Sequence, residues 1–87
     1  MKVKDILKLH TDNVKWKIFT NRNGTRTSIR LPKVTWDIIE SWCAKHDYSV
    51  RKFLVAVDII NQDAMNLTSA VKIIAAYMKE TKDEIEF

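Results

Sequence analysis

At Pro32 the hydrophobic period of this 87-residue chain changes from two to about 3.6, and that change narrows the folds open to it. Before Pro32, Val14, Trp16 and Ile18 alternate with Lys15 and Lys17, the pattern of a half-buried strand. Residues 25–31 alternate again, and Asn21-Arg22-Asn23-Gly24 lies between the two runs. Asn-Gly is the strongest short hairpin signal, because both residues tolerate the positive φ of a tight turn. With Asn23-Gly24 at the turn, Ile18 pairs with Ile29 and Trp16 with Leu31 on one face. Lys17 then faces Arg30 on the other. The expectation is a hairpin with an apolar and a basic side.

After Pro32 the stripe Thr35, Ile38, Ile39, Trp42, Cys43 and His46 follows helical spacing, with Asp37, Glu40 and Lys45 off it. Asp47-Tyr48-Ser49 ends that helix, and Ser49 suits the N-cap of the next. The second helix carries Val50, Phe53, Leu54, Val57 and Ile60 on its apolar side. The polar run Asn61-Gln62-Asp63 follows. A third helix is expected with Thr68 as its cap and Val71, Ile74, Ala75 and Met78 as its stripe. From Lys79 onward the chain is mostly charged. At the other end Val3, Ile6, Leu7 and His10 mark a short amphipathic segment that breaks at Thr11-Asp12-Asn13.

A chain this short makes one domain and buries a modest share of its surface, so a partner subunit is a natural source of further core. Its charge is uneven. Residues 1–33 hold nine Lys/Arg against two acids, a net of +7, while residues 34–87 hold six against nine, a net of −3. A basic N-terminal part on an acidic remainder suggests a polyanion-binding face, with a solvated lysine-rich surface as the bland alternative. Cys43 is the single cysteine, and His10 and His46 have no ligand-spaced companions, so neither a disulfide nor a metal site is expected. No cofactor is expected either. Cys43 falls within an apolar helical stripe, where a small hydrophobe is favoured over a reactive thiolate. Without paired carboxylates or a phosphate-cradling glycine loop, the chain does not read as an enzyme. It shows no signal peptide or membrane span, so a cytoplasmic location is expected.

The order of elements, the segment Thr27-Ser28-Ile29-Arg30-Leu31-Pro32, the helix over 36–46 and the turn Asp47-Tyr48-Ser49-Val50-Arg51 resemble the ribbon-helix-helix family of MetJ/Arc type. Asn66-Leu67-Thr68-Ser69-Ala70-Val71 looks like a segment of small bacterial members that carry an additional C-terminal helix. The implied fold is mainly α with a short N-terminal β-ribbon. Residues 1–24 would form a basic extension with a hairpin strand, 25–62 the ribbon-helix-helix core, and 63–87 a third helix and charged tail.

The resemblance further implies a homodimer in which two chains pair their strands above a shared helical core, with Thr27, Ile29 and Leu31 pointing inward. Arg26, Ser28 and Arg30 would project toward base edges in the major groove of double-stranded DNA, where Arg can grip guanine with two hydrogen bonds. Ser49, Val50, Arg51 and Lys52 would hold a phosphate at the second helix start, with Lys15, Lys17 and Lys33 as accessory cations. The implied role is a transcriptional repressor or autoregulator. An antitoxin- or phage-type protein-interaction module with the same fold is the alternative, and a protein partner could use the third helix or the tail. One difficulty is internal to the pattern. If residues 14–20 stay paired in both chains, the dimer ribbon has four strands spanning roughly 14 Å, more than the ~12 Å groove admits. Lys15, Lys17, Arg26 and Arg30 on one face would then form a positive platform.

Overall fold

The computed structural model describes residues 2–12, 14–81 and 85, with side chains for all of these except 9–12 and 81. The elements run α1 (Val3–Asp12), β1 (Val14–Thr20), β2 (Arg26–Pro32), α2 (Lys33–Lys45), α3 (Val50–Asn61) and α4 (Leu67–Thr81). Val3, Ile6 and Leu7 of α1 are exposed. Thr11 and Asp12, two of the three residues expected to break this segment, continue α1, and Lys79 and Glu80, at the start of the expected charged tail, are exposed residues of α4. The side chain of His10, Asn13, and residues 82–84 and 86–87 lie outside the described residues.

The two strands form the expected antiparallel hairpin, but its register differs by one residue. Lys17 pairs with Ile29, Trp16 with Arg30 and Ile18 with Ser28. The reason is the loop. Asn23-Gly24 is not a two-residue turn; Gly24 N–H donates to Asn21 O at 3.0 Å and Asn21 N–H to Thr25 O at 2.8 Å. Three residues, Arg22, Asn23 and Gly24, therefore span the strands, and only Gly24 takes a positive φ, +80°. This is the hairpin built on a type I turn, in which glycine in the left-handed region closes the loop. Asn21 braces it, its Oδ1 accepting from the N–H groups of Asn23 and Thr25, both at 3.0 Å.

A one-residue slip exchanges the faces of a strand. Trp16 and Ile18, expected inside, are 61% and 54% exposed, while Phe19, given no role by the alternation, is buried. On β2 the faces are as expected, with Ile29 and Leu31 buried and Thr27 half-buried. The hairpin joins α2 without a linker. Pro32, φ −58° and ψ 146°, ends the ladder because it has no N–H to donate, and it stands directly before the helix.

Helix α2 closes with a Schellman arrangement. Asp47 sits at φ +53°, Tyr48 N–H reaches Cys43 O at 2.8 Å, and Asp47 N–H reaches Ala44 O at 3.4 Å. Ser49 caps α3 as expected, its Oγ accepting from Lys52 N–H at 3.0 Å. The expected cap of α4 is corrected. Asn66, two residues before Thr68, is the cap: its Oδ1 accepts from Ser69 N–H at 3.2 Å, and Ala70 N–H donates to Asn66 O at 2.9 Å.

The three helices after the hairpin pack beneath its inner face. Ile39, Trp42 and Cys43 of α2, Phe53, Leu54 and Val57 of α3, and Val71, Ala75 and Met78 of α4 meet Phe19, Ile29 and Leu31 in one cluster. Trp36, outside the expected stripe, is also buried and donates from Nε1 to Lys15 O at 3.0 Å, tying α2 to β1. Ile60, expected on the apolar side of α3, is instead 64% exposed. Among the described residues, no helix is long and apolar enough to cross a membrane.

Candidate nucleic-acid interface

The residues expected to meet nucleic acid separate into three places. Arg26, Ser28 and Arg30 share the outer face of β2 and are exposed. Alternation puts Trp16, Ile18 and Thr20 of β1 on that same face, opposite Arg30, Ser28 and Arg26 in turn. No acidic side chain stands on this face of the two strands. The Arg30 guanidinium lies over the Trp16 ring, 5.5 Å from its centroid, within the range of a cation–π contact. Among the described residues Arg26 has no carboxylate partner.

Lys15 and Lys17 do not join them. The register turns both toward the helices, which corrects the expected four-cation platform. Lys17 is engaged there: its Nζ is 2.9 Å from Glu40 and 5.7 Å from the centroid of the Trp36 ring. Lys33, at the start of α2, pairs with Asp37 at 3.0 Å. Both ion pairs are open to solvent, where such pairs hold little energy, so either lysine can be drawn to a stronger anion.

The third place is the start of α3. Ser49, Arg51 and Lys52 are exposed and Val50 half-buried. The free N–H groups of a first helical turn and the positive end of the helix dipole face outward there. Ser49 Oγ takes up the Lys52 N–H. The hairpin turn sits at the far end of this helix. Arg22 N–H donates to Asp58 Oδ2 at 2.8 Å, and Arg22 Nη1 reaches Asp58 Oδ1 at 3.0 Å and Asp58 O at 3.2 Å. Asp58 lies nine positions after Ser49, roughly 13 Å along the helix axis.

Sequence reasoning missed this clamp entirely. Asp58 is 5% exposed and is the one buried charged side chain among the described residues, satisfied wholly by a residue 36 positions away. Arg22 also pairs with Asp63. The Asp63 hydrogen bond, partly opposed by desolvation, holds the Arg22 guanidinium above its ordinary range. The outward position of Trp16 and Ile18 was missed as well, though a signal for it existed. Asn at the first and Gly at the fourth position of Asn21-Arg22-Asn23-Gly24 is the signature of a type I turn.

Burial pushes the Cys43 thiol up to about 11, with the Glu40 charge adding to it, so the thiol is protonated at neutral pH and a poor nucleophile. Among the described residues no cluster of His, Cys, Asp or Glu could hold a metal ion.

A family model described as a ribbon-helix-helix domain matches residues 22–78, from the hairpin turn through most of α4. Proteins with this domain are broadly DNA-binding regulators, generally non-enzymatic, and typically bind as dimers. The match begins after β1. No curated protein and no solved structure matches the chain.

Proposed function

We propose that this chain, which belongs to the ribbon-helix-helix family, binds double-stranded DNA sequence-specifically as a homodimer and represses its own or a neighbouring promoter in the bacterial cytoplasm. The observation that carries this is the outer face of the hairpin. Arg26, Ser28 and Arg30 are exposed at alternate positions, with no acidic side chain on that face to compete with phosphate. A guanidinium offers guanine O6 and N7 two parallel hydrogen bonds, and each such pair discriminates by ~1–3 kcal/mol. Ser28 is a permissive neighbour that accepts several base edges. Residues 49–52 supply backbone N–H groups and two cations for phosphate, which sets register and affinity but not sequence preference. Lys15, Lys17 and Lys33 add long-range attraction from the flank. Binding of this kind needs no cofactor.

Apolar surface that one chain leaves uncovered supports the pairing with a second copy. Ile60, Met65 and Ile73 are each about half exposed or more, around a groove between α3 and α4 lined also by Val57 and Ala70. Burying such a surface is the usual reason for a small domain to pair.

A gel shift on DNA from the protein's own promoter, with excess non-specific competitor, tests the proposal. A discrete shift that survives competitor and weakens steeply with salt supports it, because phosphate contacts release counterions. A shift lost to competitor overturns sequence specificity. In that case the exposed Trp16 and Ile18 beside Arg26 and Arg30 favour an interaction module that meets an acidic protein surface.

A further inference from the structure

Helix α1 has an apolar stripe that its own chain leaves exposed. Val3, Ile6 and Leu7 recur at i, i+3 and i+4, an arc about 100° wide, with Lys4, Asp5 and Lys8 on the remaining face. They are 71%, 38% and 61% exposed, and none of them belongs to the core cluster or packs against it. A helix of 10 residues is marginal in water by itself, so an amphipathic one this short takes its stability from a surface that covers the stripe. The same chain leaves a groove open between α3 and α4, lined by Val57, Ile60, Met65, Ala70, Ile73 and Ile74 and by no charged side chain. We propose that α1 is an exchanged arm: in the dimer, the α1 of each copy seats Val3, Ile6 and Leu7 in the α3/α4 groove of the other. The inference rests on the homodimer proposed above and names the segment that joins its two copies.

Geometry decides which copy's groove the arm enters. One residue separates α1 from β1, whose first residue, Val14, pairs with Pro32 at the end of the hairpin away from its turn. The turn is fixed at the other end, where Arg22 holds Asp58, two residues before Ile60. The 7 residues of β1 put roughly 20 Å between these ends. Ile6 and Leu7 stand only about 10–12 Å along α1 from Val14, short of the groove in their own chain. In a pair the distance closes. β1 covers one edge of β2 and leaves the other edge open. A two-fold axis along that open edge runs the two β2 strands antiparallel. The end of the second hairpin from which its α1 departs then comes beside the turn and groove of the first. The contact is self-complementary, arm into groove twice, and the apolar anchors at i, i+3 and i+4 suit a helix lying in a hydrophobic groove.

The experiment measures the dimer dissociation constant of the full chain by analytical ultracentrifugation. Ile6→Gln with Leu7→Gln keeps good helix formers on α1 and removes the apolar contact. Ile60→Gln with Ile73→Gln does the same to the groove. All four residues are exposed in the single chain, so both variants are expected to fold as monomers do. Each should weaken dimerisation about a hundredfold, since two arms lose buried aliphatic side chains. Lys4→Gln with Lys8→Gln, on the other face of α1, should leave it unchanged. An equimolar mixture of the arm and groove variants retains one intact arm for one intact groove. It should dimerise about tenfold more tightly than either variant alone, half of the lost free energy. If the mixture gains nothing, the arm lies in its own chain and the exchange is overturned. If the arm variant dimerises like wild type and the dimer still selects a DNA sequence, α1 is not the occupant, and the function proposed above stands. If the wild type is monomeric both free and on DNA, the homodimer and the arm fall together.

Discussion

The two faces of the hairpin carry similar side chains and have opposite fates. The inner face holds Phe19, Ile29 and Leu31, all but inaccessible, with Lys17 tied to Glu40 at its edge. The outer face holds Trp16 and Ile18, which are no less hydrophobic, and leaves them beside Arg26, Ser28 and Arg30. Hydrophobicity of β1 alone would choose the other arrangement, since Val14, Trp16 and Ile18 outnumber Phe19. The loop decides instead. Three loop residues and not two set the register, Ile29 and Leu31 fix which side of β2 is inner, and β1 must follow. The Arg22–Asp58 clamp then holds the turn against α3. What the comparison teaches is that a residue can be left outside by geometry, and such a residue is then available for function.

The strongest way to break the comparison is to charge the inner face. Ile29→Lys puts an ammonium where 1% of the residue is accessible, within the core of a single chain. We expect a cost above about 4 kcal/mol, enough to abolish cooperative melting of the chain and not merely its dimer. A folded variant with a normal melting curve would mean the faces are reversed.

Removing the clamp comes next. Asp58→Ala leaves the Arg22 N–H without its buried acceptor and frees the turn to shift register. Thermal melting should fall by about 5–15 °C. An unchanged melting temperature would show that the loop alone holds the register.

Arg30→Ala works on the outer face and should do the converse. Stability should stay within about 0.5 kcal/mol of wild type. Site preference should drop by the ~1–3 kcal/mol of one bidentate guanine contact, read as operator against competitor affinity in a gel shift. Equal operator affinity would remove Arg30 from the reading face.

The smallest effect belongs to the helix end. Ser49→Ala removes the acceptor of the Lys52 N–H and should cost about 1 kcal/mol of stability in denaturant melts. DNA affinity should fall by a similar factor on every sequence, because a phosphate contact carries no base information. A loss confined to the operator would assign this helix start to base reading.

Much of this molecule was legible before its structure. The switch of period at Pro32, the Ser49 cap and the apolar stripes marked each element after β1, and the structure contains them, with the cap of α4 at Asn66 and not at Thr68. These are local matters, settled by backbone hydrogen bonding and by side chains three or four residues apart. The core-facing side of β2 was legible for the same reason, since Ile29 and Leu31 have no apolar competitors on the other side.

What the sequence determined by itself, then, was two strands joined near Gly24, three helices behind them, and a β2 with Arg26, Ser28 and Arg30 outward. Only the tertiary structure decided which face of β1 is buried, where Lys15 and Lys17 point, and why Asp58 is inside. Each of these depends on a register or on a partner distant along the chain. Asp58 needs Arg22 from 36 residues away, and Trp36 needs the Lys15 carbonyl from 21. A strand's alternation names its two faces, but which of them meets the core is set by how many residues the loop takes to turn, and by the surface waiting on the other side.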